Sequence, residues 1–523
     1  MKIFNKLTLL TAAEATVISF FAAAVIGGSL LYITERNRAV EVKVPVVRNV
    51  AVIPAGMDLQ AYEDAHTFAL SETRKGESFI DTLFTSVSAL CVTGLTSTDF
   101  SKFTFPGQFI VLILIQMGGL GIIVFTSIFA YAIVKGFSER NSFKKMLAGI
   151  LDTEHHDVSR MIGHIVLYTV LFEGLGFLIM GAYLSFSKSA STGGINPWWW
   201  SLFHSVSAFN NAGFSLMVNN LENFVMNPII NFTIAALVIL GGLGYPVLIA
   251  IHTALYKKLT KRHGKELGEL KHDAEGVMAS RVQMRIAIYG TISLLAAGTI
   301  VPLLIEWHNP VFSGRAFLER LTIVFFHSAS ARTAGFNTIN IGSFGAASLV
   351  FICILMFIGA NPAGTAGGIK IPTMAVLYGY IKDWFQKPGE PVKIFGRRVS
   401  KFAVSHAIRL FFSSIIFLSI IVFLINVKEY NYLITTDTTF NFTKVVFETF
   451  SAFGTVGLSM GFAGAKTSFA GILSSFSKSL LIITMLVGRL GPLTVLSALP
   501  WKRRYSEMQS SPDYDDVEKI QIG

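Results

Sequence analysis

Charge is scarce in this chain. Only 14% of its 523 residues are Asp, Glu, Lys or Arg, against about 25% in an average soluble domain. A soluble protein of this size needs a charged surface that such a composition does not supply. Cysteine is rarer still: Cys91 and Cys353 are the only two, which excludes a disulfide scaffold. Scarce charge together with 52% apolar residues excludes intrinsic disorder. No Walker-type phosphate loop is present, and no clustered nucleophile-and-base pair supports an enzyme. What abounds is apolar side chain: Phe alone occurs 45 times, and mean hydropathy is +0.57. The class that remains is an all-α polytopic membrane protein. The net charge of +11 is carried by short segments between apolar runs. It therefore reads as cytoplasmic loops and not as a nucleic-acid surface.

Crossing about 30 Å of hydrocarbon takes roughly 18 or more apolar residues of helix. Eight runs reach that length: 9–33, 109–133, 161–186, 229–255, 286–305, 346–380, 402–425 and 472–499. Between the members of successive pairs lie shorter apolar stretches at 79–91, 198–209, 317–331 and 440–453. These are too short to span and read as core or re-entrant helices. The order long–short–long thus occurs four times. Lys2 and Lys6 ahead of the first run resemble the start of a secretory signal. The run is longer than a usual signal core, however, and its removal would break the fourfold pattern, so it is expected to be retained.

Each short stretch ends in a related sequence: Phe84 to Leu95, Phe203 to Phe214, Phe326 to Phe336 and Phe447 to Leu458. Their glycines, Gly94, Gly213, Gly335 and Gly457, recur at intervals of 119, 122 and 122 residues. A period this long is no solenoid. It marks four tandem helix–pore-helix–loop–helix repeats around a pseudo-fourfold pore. The repeats are 1–140 (with an extracellular linker, 35–78), 141–270, 271–395 and 396–523, the last with a cytoplasmic tail.

Orientation follows from loop charge. The connectors between repeats carry Lys135, Arg140, Lys144 and Lys145; then Lys257, Lys258, Lys261 and Arg262; then Lys387, Lys393, Arg397 and Arg398. The tail adds Lys502, Arg503 and Arg504. The positive-inside rule makes these cytoplasmic, with both termini. The linker 35–78 has six basic and seven acidic residues. It lies outside and is expected to be ordered only locally.

Non-helical backbone at membrane depth is tolerated only where it lines protein or a water-filled cavity. Its carbonyls must then meet something polar, and a desolvated monovalent cation is the natural partner. Glycine permits positive φ, so that successive carbonyls can turn toward one axis. The ion-binding candidates are Val92, Thr93 and Gly94; Asn211, Ala212 and Gly213; Thr333, Ala334 and Gly335; and Thr455, Val456 and Gly457. None of these loops has a carboxylate, which argues against calcium-type selection by a charged ring. Small residues also serve plain helix packing. For one loop the two readings compete; four aligned loops favour the ion site.

The layout resembles the Trk/Ktr/HKT superfamily of potassium transporters over nearly the whole chain. The resemblance rests on Thr93-Gly94-Leu95, Asn210-Asn211-Ala212-Gly213-Phe214, Arg332-Thr333-Ala334-Gly335-Phe336-Asn337 and Thr455-Val456-Gly457-Leu458. Gly488-Arg489-Leu490-Gly491-Pro492 resembles the last helix of the bacterial Ktr membrane subunit more than that of Trk. The resemblance implies K⁺ as the transported ion at the filter residues, with Na⁺ as a second candidate. It also implies a homodimer in the cell (inner) membrane and a cytoplasmic ring of nucleotide-binding regulatory subunits. No organic cofactor is expected in this chain. The residues before glycine differ from loop to loop, so the preference for K⁺ over Na⁺ rests on the resemblance. An alternating-access cation or solute symporter is the second reading, although such proteins usually carry inverted repeats. Here the two long helices and basic connectors make the repeats parallel.

The run 346–380 is interrupted by Gly359, Pro362, Gly364, Gly367 and Gly368. Proline removes a backbone donor, and a helix does not run smoothly through such a stretch. The resemblance implies a mobile intramembrane loop at 359–368 that closes the pore beneath the filter; a mere kink is the plainer alternative. Arg489 lies inside an apolar helix, where an unpaired charge is costly. It is expected to face the path below the filter and to contact that loop, with snorkelling toward the membrane surface as the alternative. Gly118-Gly119-Leu120-Gly121 and Gly241-Gly242-Leu243-Gly244 have no preceding strand and read as packing or bending points. His204 and His327 hold matching places and read as hydrogen-bonding packing residues before proton carriers. Glu448 is a candidate for stabilising a hydrated vestibule. Glu14, Glu173 and Glu306 are expected to pair locally or face water. Glu154-His155-His156-Asp157 reads as a solvated turn and not as a metal site.

Overall fold

A computed structural model describes residues 12–36, 39–43, 71–75, 77–120, 157–187, 192–260, 281–386, 392–436, 442–461 and 467–492. Most of the basic connectors, the 154–156 stretch and the C-terminal tail lie outside the described residues, as does the Glu14 side chain.

The described helices fall into four successive triplets. The first is α1 (Ala12–Glu35), α2 (Phe79–Leu90) and α3 (Phe105–Gly119). The second is α4 (Asp157–Phe186), α5 (Pro197–Phe209) and α6 (Pro228–Leu243), continued by α7 (Tyr245–Thr260). The third is α8 (Arg281–Ile305), α9 (Phe317–Ser330) and α10 (Ala346–Phe357), continued by α11 (Ile371–Gln386). The fourth is α12 (Lys401–Thr436), α13 (Phe442–Gly454) and α14 (Ser475–Leu490). In the linker, β1 (Ala39–Lys43) pairs antiparallel with β2 (Ser71–Lys75); residues 44–70, on which the expectation of local order also bears, lie outside the described residues.

Among the described residues, four helices are each long and apolar enough to cross a membrane: the outer helices α1, α4, α8 and α12. Their outward faces expose large apolar side chains such as Phe21, Leu178, Leu304 and Phe423. Each outer helix packs on its own short helix. Each inner helix also packs on the short helix of the next triplet: α3 on α5, α6 on α9, α10 on α13, and α14 on α2. The last contact closes the ring.

Two of the runs that look continuous by composition are broken. The run 229–255 bends by 100° between α6 and α7. Gly244 sits at the corner with φ +85°, and a Cβ there would approach the Pro362 carbonyl oxygen. The expected bending point is therefore real, and only glycine fits it. The run 346–380 is split by the segment 358–370, as its Pro and Gly content requires. In the fourth triplet α14 stops at Gly491, φ +85°.

Carboxylates fix the N-terminal ends of three inner helices. Glu35 accepts from the backbone N–H and hydroxyl of Thr104, the N-cap of α3. Glu306 accepts from the N–H of Gly345, the N-cap of α10. Glu429 accepts from Ser474, the N-cap of α14. A carboxylate at a helix N-terminus satisfies orphan donors and opposes the helix dipole. Glu306 thus pairs locally, as its position suggested. A further tie is an ion pair, Lys478 Nζ to Asp81 Oδ1 at 2.7 Å, which joins α14 to the first turn of α2.

Candidate functional site

Each short helix ends in a loop of the same backbone form. φ is positive at Val92 (51°), Asn211 (58°), Thr333 (75°) and Thr455 (49°), and again two residues later at Gly94, Gly213, Gly335 and Gly457. A left-handed residue other than glycine costs about 1–2 kcal/mol, so the surroundings must impose this form four times. A serine in each short helix does so. Ser88, Ser207 and Ser451 accept at their carbonyls from the N–H of Thr93, Ala212 and Val456 at 2.7–2.8 Å; Ser330 accepts from Ala334 at 2.9 Å. The hydroxyls add a second tie: Gly94 and Gly457 donate to Ser88 and Ser451, while Ser207 and Ser330 donate to the Phe214 and Phe336 carbonyls. The Ser-Ala pair common to all four loops was the signal for these residues. The third loop is one residue shorter between serine and glycine than the other three.

The four loops meet. A Cβ on Gly94 would lie 2.5 Å from the Ala212 carbonyl oxygen, and one on Gly213 at 2.5 Å from that of Ala334. A Cβ on Gly335 would overlap the Val456 oxygen, and one on Gly457 the Thr93 oxygen. Each such Cβ would also fall 3.0–3.1 Å from the next glycine's Cα. The order 94, 213, 335, 457 and back to 94 is a closed ring. Glycine is thus required at each corner for its φ and for space. All four short helices end at this ring, so their negative dipole ends, each equivalent to about half a charge, converge there.

On one side the ring opens into a cavity of about 260 Å³ lined by all four glycines and by Asp99, Asn220, Glu222 and Asn337. Glu222 accepts from Asn337 Nδ2 at 3.1 Å. Burial raises the Glu222 carboxyl above its ordinary range, and that hydrogen bond opposes the rise.

On the other side lies the segment 358–370. Its ends are pinched: Gly359 N–H donates to Ile369 O at 2.8 Å and Ile369 N–H to Phe357 O at 3.2 Å. Asn361 and Thr365 donate from their backbones to Gly242 and Gly241, and Gly368 donates to Gly488. Gly364 sits against the Gly241 and Gly242 carbonyls, and a Cβ on Gly367 would overlap the Thr455 hydroxyl. The segment is therefore wedged against the fourth loop and two inner helices. Arg489, 7% exposed, donates from Nη1 to the Thr365 carbonyl and from Nη2 to the Gly118 carbonyl. The expected contact between Arg489 and the segment is present, and the guanidinium points inward and does not snorkel.

The glycine runs pack as expected. A Cβ on Gly118, Gly241 or Gly488 would overlap the carbonyl at the end of a short helix, that of Leu90, Phe209 or Phe453. His204 uses both ring nitrogens, on Trp200 O and Ser215 Oγ; His327 bonds to Ile323 O and the Thr338 N–H. Glu448 departs from the vestibule reading. It is 1% exposed and accepts from Ser459 Oγ and the Ala470 N–H. All three residues brace the chain that climbs away from the ring. Glu173 is half-buried and accepts from Asn210 and Gln116.

The TrkH family of cation transport proteins matches residues 13–501. The chain belongs to this family. It is 33% identical over 427 residues to Ktr system potassium uptake protein B of Vibrio alginolyticus, covering 80% of this chain and 84% of that protein. The Bacillus subtilis protein of the same name is also 33% identical, with 81% and 86% covered. Potassium/sodium uptake protein NtpJ of Enterococcus hirae is 32% identical, with 83% and 89% covered. The crystal structure of the potassium transporter TrkH from Vibrio parahaemolyticus shares the fold at TM-score 0.58 and 18% identity, covering 82% of this chain and 80% of that one. The protein is therefore a multi-pass membrane cation transporter and not an enzyme.

Proposed function

We propose that this transporter is the ion-translocating subunit of a potassium uptake system. The closed ring of four glycine loops carries that reading. A cation on its axis exchanges hydration water for carbonyl oxygens of Val92, Thr93, Gly94, Asn211, Ala212, Gly213, Thr333, Ala334, Gly335, Thr455, Val456 and Gly457, aided by four helix dipoles. Asp99 and Glu222 raise the local cation concentration on the approach. The segment 359–368, held by Arg489, blocks the far side. Its glycines and Pro362 keep it non-helical, so it can shift without unwinding a helix. Arg489 adds a positive charge to the blocked path.

The membrane potential drives uptake at about 2.3 kcal/mol per charge per 100 mV. The four units 1–140, 141–270, 271–395 and 396–523 act as quarters of one pore. Two copies of the chain pair in the cell membrane, with both termini and the basic connectors inside, where a nucleotide-binding regulatory ring docks. The names of the relatives support K⁺, and one of them also names Na⁺. Growth of a K⁺-uptake-deficient bacterium on low K⁺, with and without Na⁺, tests the reading. Rescue at low K⁺ is expected, and failure to rescue by correctly inserted protein contradicts it. An alternating-access symporter would instead move solute with no continuous ring of carbonyls on its path.

A further inference from the structure

A second buried arginine is left poorly bonded. Arg332, 6% exposed, precedes the left-handed Thr333 of the third loop. Its Nη1 donates to the Thr291 carbonyl on α8 at 3.4 Å, at the weak limit of a hydrogen bond. Its Nε has no partner among the described residues. Across Thr291 sits Asn361 of the intramembrane segment, 1% exposed. Asn361 Nδ2 donates to the Thr291 hydroxyl and the Gly242 carbonyl, both at 3.4 Å, and its Oδ1 accepts from nothing among the described residues. A buried donor and a buried acceptor thus stand unsatisfied on two sides of one threonine. Leaving them so is costly in a low-dielectric interior. Arg332 and the neighbouring Ala360 also line one small cavity with Gly242, so the guanidinium and the segment are close neighbours. The equivalent positions in the other loops, Cys91, Asn210 and Gly454, carry no charge. The extra guanidinium occurs only in the repeat that contributes the segment.

We infer that Arg332 is a positioning residue for the open state: when the segment 358–370 leaves Arg489, Asn361 Oδ1 takes the Arg332 guanidinium, which latches the segment aside. This rests on the reading that the segment blocks the path. Arg489 then holds the blocked position and Arg332 the displaced one, and the balance between the two latches sets the flux.

The test is a double-mutant cycle in proteoliposomes, read as the initial rate of Rb⁺ uptake and as the Rb⁺/Na⁺ uptake ratio. Asn361→Asp turns the acceptor into a carboxylate and is expected to raise flux about tenfold, the scale of one charge-assisted hydrogen bond. Arg332→Gln is expected to lower flux and to abolish the gain from Asn361→Asp. Arg332→Lys, which keeps the charge but not the fork, is expected to retain part of it. The ion ratio of Asn361→Asp should equal that of the parent. Equal gains from Asn361→Asp with and without Arg332 would overturn the inference, as would a changed ion ratio in Arg332→Gln without any coupling to position 361. Arg489→Gln is run in parallel. If it raises flux while positions 332 and 361 act independently, only the latch fails; if it leaves flux unchanged, the gate reading fails and takes the latch with it. Thermal stability of each purified variant separates these results from misfolding.

Discussion

Arg489→Gln should open the transporter. In the structure the guanidinium donates to the Thr365 carbonyl of the segment and to the Gly118 carbonyl of α3, and so ties the segment to the first repeat. A hydrogen bond from a charged group contributes about 1.5–3 kcal/mol. Glutamine is shorter and neutral, so the tie to Thr365 is lost. If, as proposed, only the blocked position makes this contact, its loss shifts the equilibrium toward the open form by about 10- to 150-fold, at about 1.4 kcal/mol per decade. On the proposed reading, a positive charge that repels cations is removed from the path at the same time. Rb⁺ uptake into proteoliposomes at fixed protein density measures the gain. Arg489→Lys keeps the charge but offers one compact ammonium and should fall between parent and glutamine. Unchanged or lost flux in a folded Arg489→Gln protein would refute the gate.

Gly335→Ala places a methyl against the Val456 carbonyl oxygen at φ +79°. It should cut Rb⁺ uptake at least about tenfold, since the left-handed strain alone reaches 1–2 kcal/mol; parent-like rates with parent selectivity would contradict the ring. Ser88→Ala removes the hydroxyl tie to Gly94 and should broaden the Rb⁺/Na⁺ ratio with little loss of thermal stability, because the backbone bond to Thr93 remains. The Glu222 carboxyl is raised by burial, so it gains its proton at a higher pH than an exposed carboxylate. As pH falls through that point the cavity loses one negative charge, and uptake at low ionic strength should drop by a factor of a few, on the order of 1 kcal/mol for one charge at close range in water. Glu222→Gln should show the lower rate at every pH and a flatter profile, and 150 mM salt, about an 8 Å Debye length, should blunt the difference. A pH profile identical in parent and variant would remove Glu222 from the approach.

Much of this architecture is legible in the chain. The glycine interval marks the four loops because each loop needs a residue that tolerates positive φ beside a neighbouring carbonyl. Length and hydropathy mark the outer helices, since a lipid-facing span leaves no choice of composition. The breaks in the inner helices are harder to read. The run 229–255 stays apolar through its 100° corner, because one face of each arm, with Ile230, Ile234 and Val238 on one and Tyr245 and Leu248 on the other, packs in the same apolar cluster. Gly244 followed by Pro246 was its only local mark. The bracing serines are marked only by the Ser-Ala pair repeated in all four loops, because a single serine within an apolar helix looks the same whether it bonds its own turn or the next loop. Glu448 is not legible from its position, because an acidic residue beside a glycine loop suggests water, whereas Ser459 and Ala470 satisfy both its oxygens. Arg489 announced itself by charge alone, but its partner at Thr365 depends on how two repeats pack, which no local pattern encodes.

The ring of peptide oxygens can be tested by locating the ion. Crystals or frozen grids of the transporter in Rb⁺ or Tl⁺, with a matched sample in a large organic cation, would give a difference map. The account requires heavy-ion density on the axis between Gly94, Gly213, Gly335 and Gly457, coordinated by carbonyls of all four loops. Density confined to side-chain sites away from that axis, with the ring empty in saturating Rb⁺, would contradict it.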